Sequence, residues 1–238
     1  VNNASLKEWD LPEDPARRRE LIDYLEKYVT GNKLAKFNAV LPNRTRHVTV
    51  VLEDIYQPHN ASAVVRSCDL FGVQEMHVIE NRHRYTLSSG VSVGASKWIT
   101  LHRWNQRGED NTTRCLGEIR NRGYRIVATT PRTDGVPLPD LPVEKPLALV
   151  FGTEETGLSA KALELADEAV TIPMVGFTES FNVSVSAALC LYEVMHRLWR
   201  SEVDWKLTAI EQEELRLVWM EKVLKRFPQL VKNFLEKA

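Results

Sequence analysis

The sequence predicts an α/β fold: a mostly parallel sheet with helices on both faces, carrying helical extensions at both ends. Three observations predict it. Between His47 and Pro173, short apolar runs alternate with segments of helical periodicity, the pattern of strands joined by crossover helices. Those runs are nearly continuously apolar, as strands covered on both faces are. Outside that stretch only helical periodicity occurs, and the 238 residues, 43% hydrophobic and 26% charged, have an ordinary globular composition.

Asp14 caps a first helix that begins with Pro15, carries Leu21, Ile22, Leu25 and Tyr28 at helical spacing, and stops at Gly31. A short second helix runs from Lys33 to Val40 and ends at Pro42. His47–Glu53 reads as a buried strand, Asn60–Phe71 as a helix with Asn60 at its cap and Gly72 at its close, and Glu75–Glu80 as the next strand. Strands follow at Lys97–Arg103, Tyr124–Thr130, Pro146–Gly152 and Glu168–Pro173, with helical pieces at Glu109–Arg122 and after Ser159. Val183–Arg200 is one long, largely apolar helix opened by Ser180 or Asn182. Thr208–Phe227 is amphipathic and stops near Pro228, and Leu230–Leu235 resumes briefly. The segments are therefore a helical extension over 1–46, an α/β domain over 47–200 and a second helical extension over 201–238.

No run approaches the roughly 20 apolar residues of a membrane-spanning helix. The polar, acidic opening segment has no basic-then-apolar secretion pattern, so no membrane partner is expected. Three cysteines (Cys68, Cys115, Cys190) without a Cys-x-x-Cys pair suit a reduced, cytoplasmic setting better than a disulfide framework or a metal site. The formal net charge is −1, yet Asn81–Arg132 holds ten basic residues against three acids. That excess reads equally as a phosphate-binding footprint or as a face balanced by acids elsewhere in the fold.

A parallel sheet invites a ligand at the carboxyl ends of its strands. No Gly-x-Gly-x-x-Gly follows a predicted strand and no P-loop is present, and a standard α/β-hydrolase is not expected. Three segments are less generic. In QPHNASAVVRSCDLFGV (Gln57–Val73), Asn60 opens a helix and Arg66 follows six residues on, about 240° round the axis, so the two do not share a face of a continuous helix. In LVFGTEETGLS (Leu149–Ser159), Gly152 permits close backbone approach at a strand end and Ser159 can cap the next helix. In IPMVGFTESFNVSVSAALCLYE (Ile172–Glu193), cap-forming Ser180 and Asn182 follow an apolar strand end, a setting that suits an adenine pocket. Each segment alone is also readable as a simple capped loop.

Together and in this order, the three segments resemble the SPOUT superfamily, in its SpoU/TrmH branch of RNA ribose 2′-O-methyltransferases, over roughly Val48–Arg197. The PHN start of the first motif and the helical arms are most similar to the branch that methylates the D-loop guanosine (position 18) of tRNA. The resemblance implies a C-terminal deep trefoil knot and S-adenosylmethionine held by loops around Thr129–Thr130, Gly152–Gly157 and Ile172–Asn182. It implies a homodimer that joins the first motif of one subunit to the cofactor of the other, with the Val183–Trp199 helix at the interface. It places Asn60, Arg66, Glu154, Ser180 and Asn182 in the catalytic set, and Thr129, Gly152, Ile172 and Phe181 at the cofactor; relatives more often carry Leu at the last position.

In-line transfer of a sulfonium methyl to a ribose hydroxyl requires no metal. It requires reacting atoms about 3–3.5 Å apart and help with the hydroxyl proton. A guanidinium stays protonated at neutral pH, so Arg66 fits the role of a clamp on the developing alkoxide as well as that of the base. Arg17, Arg18, Arg19, Arg84, Lys97, Arg103 and Arg107 are the candidate RNA contacts. The alternatives are a 2′-O-methyltransferase acting on ribosomal RNA or another tRNA position, and a non-catalytic RNA-binding or assembly protein.

Overall fold

The computed structural model describes residues 11–87, 94–131 and 135–236. The opening segment up to residue 10 and Arg132 of the basic stretch lie outside the described residues. In chain order the elements are α1 (Pro15–Glu26), α2 (Gly31–Val40), β1 (Val48–Glu53), α3 (Pro58–Leu70), β2 (Glu75–Ile79), β3 (Thr100–Trp104), α4 (Asn111–Asn121), β4 (Arg125–Thr129), β5 (Val136–Pro137), β6 (Leu147–Phe151), α5 (Ala160–Leu165), β7 (Glu168–Thr171), α6 (Val183–Trp199), α7 (Ala209–Val223) and α8 (Phe227–Leu235). They form two compact units, one from Val1–Arg44 with Lys206–Ala238 and one from Thr45–Trp205.

In the first unit the two ends of the chain pack on each other, α1 against α7 and α8. The Asp14 carboxylate accepts the Arg17 backbone N–H at 2.8 Å and Pro15 begins α1, as the sequence indicates. Two stop signals act differently from their sequence reading. Gly31 starts α2 instead of closing α1, because Thr30 is already extended and serves as the N-cap; Tyr28 consequently lies past α1 and is exposed. Pro228 lies in the first turn of α8, where a missing N–H costs nothing. Leu21, Leu25, Phe37, Trp219 and Phe227 are buried. Phe37 and Trp219 have ring centroids 5.3 Å apart, and the buried Arg44 guanidinium lies 5.4 Å over the Trp219 ring. α7 opens with a capping box between Thr208 and Glu211.

The second unit is a seven-stranded sheet in the order β3-β2-β1-β6-β4-β7-β5, with every pairing parallel. Alternation of side chains across β1 sends Val48, Val50 and Leu52 to a core shared with α3 and α6, while Val51 joins α4 and α5 on the other face. The two-residue β5 pairs only with β7 and has no apolar run by which the sequence marks it. β3 begins three residues later than expected, because Ala95–Lys97 forms a 3₁₀ turn.

Glu53, buried at the end of β1, ties the two layers on one face. It accepts from Thr112 Oγ1 at 2.7 Å at the start of α4, and from the backbone N–H and hydroxyl of Ser159, both at 2.8 Å, at the cap of α5.

Neighbouring strands β2 and β3 bring Glu75, His77 and His102 together, with candidate ligand atoms within 4.8 Å of one another. Their surroundings do not suit a cation. The Trp104 indole N–H, which can only donate, points to His77 Nδ1 at 3.2 Å, so the lone pair is on Nδ1 and the hydrogen of the neutral ring is on Nε2. Glu75 is already paired with Arg46 at 2.7 Å and Arg122 at 2.6 Å. The cluster is a stability element with a defined pH dependence.

Burial, and then the neighbouring His102, lower the His77 pKa from 6.5 to about 3. Burial pushes Glu75 upward, but His102, Arg122 and Arg46 outweigh it and hold the carboxyl well below its usual range. In the unfolded chain His77 takes up a proton below its ordinary pKa, while in the folded chain it stays neutral. Stability therefore falls as pH drops from about 6.5 toward 3, at up to ~1.4 kcal/mol per pH unit. Glu75 adds loss of the same sign below its unfolded value. Denaturant unfolding of His77→Asn, which keeps an acceptor for Trp104, is expected to show a flatter stability profile between pH 6.5 and 4.5; a slope equal to that of the unsubstituted protein contradicts the assignment.

Candidate active site

A cavity of about 390 Å³ opens at the carboxyl ends of β4, β6 and β7, a size typical of small-molecule sites. Thr129 ends β4, Gly152 follows β6 and Ile172 follows β7. These three line the cavity, as do Phe181, Ser180 and Glu154. All four residues expected at the cofactor thus share one wall system. The Thr129 hydroxyl donates to the Val150 carbonyl at 2.9 Å, which fixes its rotamer at the rim.

Gly152 is required by backbone packing. A Cβ there would lie 2.2 Å from the Gly157 carbonyl carbon and oxygen and 2.3 Å from the Leu158 nitrogen. The close approach comes from a tight return in which Thr153 and Gly157 exchange backbone hydrogen bonds of 3.0 and 3.1 Å. Gly157 turns the chain with φ +67°, a conformation that favours glycine.

The three motifs converge on the side chain of Asn60. The sequence places Asn60 at the cap of α3; the structure puts Gln57 there and Asn60 in the first turn, buried. Its Nδ2 donates to Gln57 Oε1 at 2.9 Å and to Glu154 Oε1, and its Oδ1 accepts from Asn182 Nδ2 at 3.2 Å. Asn182 in turn caps α6, accepting from the Ser184 backbone N–H at 2.9 Å and from its hydroxyl at 2.6 Å. Both Asn60 amide hydrogens are therefore engaged, so Asn60 joins segments and positions them. Among the described residues, Glu154 Oε2 is buried without a hydrogen-bond partner at the cavity wall. Gln57 carries little signal in the sequence. Its one signal is that it precedes Pro58, the first residue of a helix.

Arg66 is not part of this cluster. It is exposed, does not line the cavity, and its guanidinium makes no hydrogen bond or ion pair among the described residues. The cause is helical geometry: Asn60 turns inward, and a residue six positions on turns outward.

The candidate RNA contacts divide. Arg103 is a scaffold residue, because its guanidinium forks onto Glu80 with two bonds of 2.7 Å and only 16% of its side chain is exposed. Arg18 is similarly covered, near Glu214. Arg17 pairs with Glu20 and lies over Phe234, while Arg19 pairs with Glu213 but stays largely exposed. Arg84, Lys97 and Arg107 are exposed. Much of the basic stretch is balanced by acids: Arg103 by Glu80, Arg114 by Glu109, Arg120 by Asp167, Arg122 by Glu75 and Arg125 by Glu168.

The segment Gly90–Gly94 matches Gly-x-Ser-x-Gly, although no hydrolase pattern was expected. Its Ser92 lies outside the described residues, and the 3₁₀ turn that follows is not the helix such a nucleophile elbow needs.

Residues 47–192 match the family described as the SpoU rRNA Methylase family. The chain belongs to the SpoU methylase family. A relative from Borreliella burgdorferi, named tRNA (guanosine(18)-2'-O)-methyltransferase, is 39% identical over 90% of this chain and 95% of its own length. One of the same name from Thermus thermophilus is 36% identical over 71% of this chain and 84% of its own. Among solved structures, an Aquifex aeolicus TrmH/SpoU tRNA modifying enzyme superposes with a TM-score of 0.72 at 31% identity, covering 84% of this chain and 99% of that one. The SpoU fold thus extends over most of the molecule.

Three substitutions test this site as a built structure. Gly152→Ala is expected to lower the melting temperature far more than Gly157→Ala, whose penalty is the roughly 1–2 kcal/mol of a left-handed residue. Asn60→Ala leaves Glu154 and Asn182 without their partner and is expected to cost about 1–3 kcal/mol in denaturant unfolding; a change below about 0.5 kcal/mol contradicts a joining role.

Proposed function

We propose that this chain transfers the methyl group of S-adenosylmethionine to a ribose 2′-hydroxyl of tRNA, that of the D-loop guanosine at position 18, as a homodimer. The observation that carries this reading is the convergence of Asn60, Glu154 and Asn182 beside a cavity lined by Thr129, Gly152, Ile172 and Phe181, in a chain similar over most of its length to enzymes of that name.

The cavity fits the cofactor in kind. Phe151, Ile172 and Phe181 offer apolar walls for an adenine ring, and Glu154 and Glu179 offer carboxylates to a cationic group. When bound, S-adenosylmethionine supplies a methyl activated by its positive sulfur. This chain's residues then bind and orient. Glu154, fixed through Oε1 by Asn60, presents Oε2, and Asn182 holds the third loop at the start of α6. The knot implied by the family would thread these loops through one another and fix their spacing.

A single chain leaves Arg66 outside its own cavity, which favours assembly in trans: Arg66 of one copy meets the hydroxyl at the other's cavity. There its protonated guanidinium clamps the attacking oxygen as negative charge develops. Val185, Leu189 and Tyr192 form an exposed stripe along α6 that suits the interface. Arg19, Arg84, Lys97 and Arg107 remain our candidates for phosphate, with a steep salt dependence of RNA affinity. No helix among the described residues is long and apolar enough to cross a membrane, and we place the reaction in the cytoplasm.

Arg66→Ala is expected to lower turnover at saturating RNA by about 100-fold or more with S-adenosylmethionine affinity unchanged; near-normal turnover refutes the role. Mixing Arg66→Ala with Glu154→Ala protein tests the trans arrangement. Mixed dimers contain one intact composite site and regain methyl transfer, whereas sites formed within one chain leave the mixture as inactive as its parts. Mass spectrometry of the methylated nucleotide after incubation with bulk unmodified RNA decides between the tRNA guanosine and any other ribose.

A further inference from the structure

Beside the Asn60 cluster lies a surface with no role in the mechanism above. Tyr56 follows β1 and is 41% exposed. Its ring lies 5.5 Å from that of His83, tilted by 48°, and His83 is also exposed. The pair is built from below. Asp54, buried and in the left-handed conformation at φ 54°, accepts the backbone N–H groups of Asn81 at 2.7 Å and Arg82 at 2.8 Å. Asn81 is further tied to Thr112 at 2.8 Å, and Thr112 to Glu53. The loop carrying His83 is thereby anchored to the ends of β1 and α4.

The surface is also wired to the candidate active site. Gln57 Nε2 donates to the Tyr56 hydroxyl at 3.2 Å, while Gln57 Oε1 accepts from Asn60. The rings stand two hydrogen bonds from Asn60, whose partner Glu154 lines the cavity. On either side of His83, Arg82 and Arg84 are exposed, and no acid among the described residues pairs with either.

Two exposed rings flanked by two uncompensated guanidiniums match the chemistry of a single-stranded nucleotide: a flat apolar base to stack and phosphates on either side. Resting on the methyltransferase reading, we infer that Tyr56 and His83 form a stacking platform for an unpaired base of the RNA substrate next to the reacting ribose, with Arg82 and Arg84 on its flanking phosphates. Stacking discriminates poorly among bases, so the platform selects an unstacked, accessible nucleotide and leaves base identity to other contacts.

The test is steady-state methyl transfer to an unmodified tRNA transcript by the full-length protein. Methyl incorporation by the unsubstituted protein establishes the underlying reading; its absence defeats that reading and is seen before any variant is made. Given incorporation, Tyr56→Ala with His83→Ala is expected to raise KM for RNA roughly 5- to 100-fold. kcat at saturating RNA should stay within about 3-fold, and S-adenosylmethionine affinity by calorimetry should be unchanged. Tyr56→Phe and His83→Phe keep the rings and should keep KM. Transcripts carrying a single abasic nucleotide near the methylated ribose supply the partner half of the cycle. At one position, base removal should raise KM of the unsubstituted protein and change nothing in the double variant. An unaltered KM in the double variant overturns the platform. So does a change in molar mass on sedimentation, which would make the rings an interface between copies, or an equal abasic penalty in both proteins at every position.

Discussion

The Asn60 side chain joins the start of its own helix to two parts of the chain that lie 94 and 122 residues away in sequence. One amide holds the start of α3, the loop after β6 and the cap of α6, and its donors and acceptor are used in fixed directions. An aspartate of the same shape would place a second carboxylate against Glu154, and a leucine would leave Glu154 Oε1 and Asn182 Nδ2 without a partner. The cavity at the carboxyl ends of β4, β6 and β7 depends on that constraint, because two of its loops are held by it.

The same economy of polar groups explains the surface. A basic stretch is ambiguous until its acids are located, since one buried carboxylate neutralises guanidiniums from several elements. Glu75 takes both Arg46 and Arg122, and Glu80 takes the whole fork of Arg103. Among the described residues, Arg82, Arg84 and Arg107 are exposed on loops that follow β2 and β3. The paired arginines brace the parallel sheet, while the exposed ones lie toward the carboxyl ends of its strands, the edge at which such sheets bind ligands.

Arg66 and Asn60 illustrate a separation of roles along one helix. On α3 the buried arc runs from Asn60 through Ser62, about 200° round the axis, and Arg66, about 240° round, falls just beyond it on the exposed side. The exposure of Arg66 is what the proposed assembly in trans would use. The exposed stripe of Val185, Leu189 and Tyr192 lies on α6, a helix packed alongside α3.

Much was legible in the residues alone. The parallel α/β class, all the longer strands and the cap roles of Asp14, Ser159 and Asn182 follow from apolar runs and from side chains that satisfy orphan N–H groups locally. That Thr129, Gly152, Ile172 and Phe181 would share one wall was legible through the family resemblance, and the structure places all four around one cavity. Interactions fixed by the fold alone were not. Gly31 and Pro228 look like stops, yet glycine and proline also begin helices, and only the flanking dihedrals decide. Glu53 and Asp54 have no local signature, since their partners are brought to them by strand order. Arg103 as scaffold, and the Tyr56–His83 pair, depended on which loops the sheet sets side by side. Sequence periodicity records a residue's environment along its own element; tertiary structure alone decides which distant polar group stands within hydrogen-bonding distance of it.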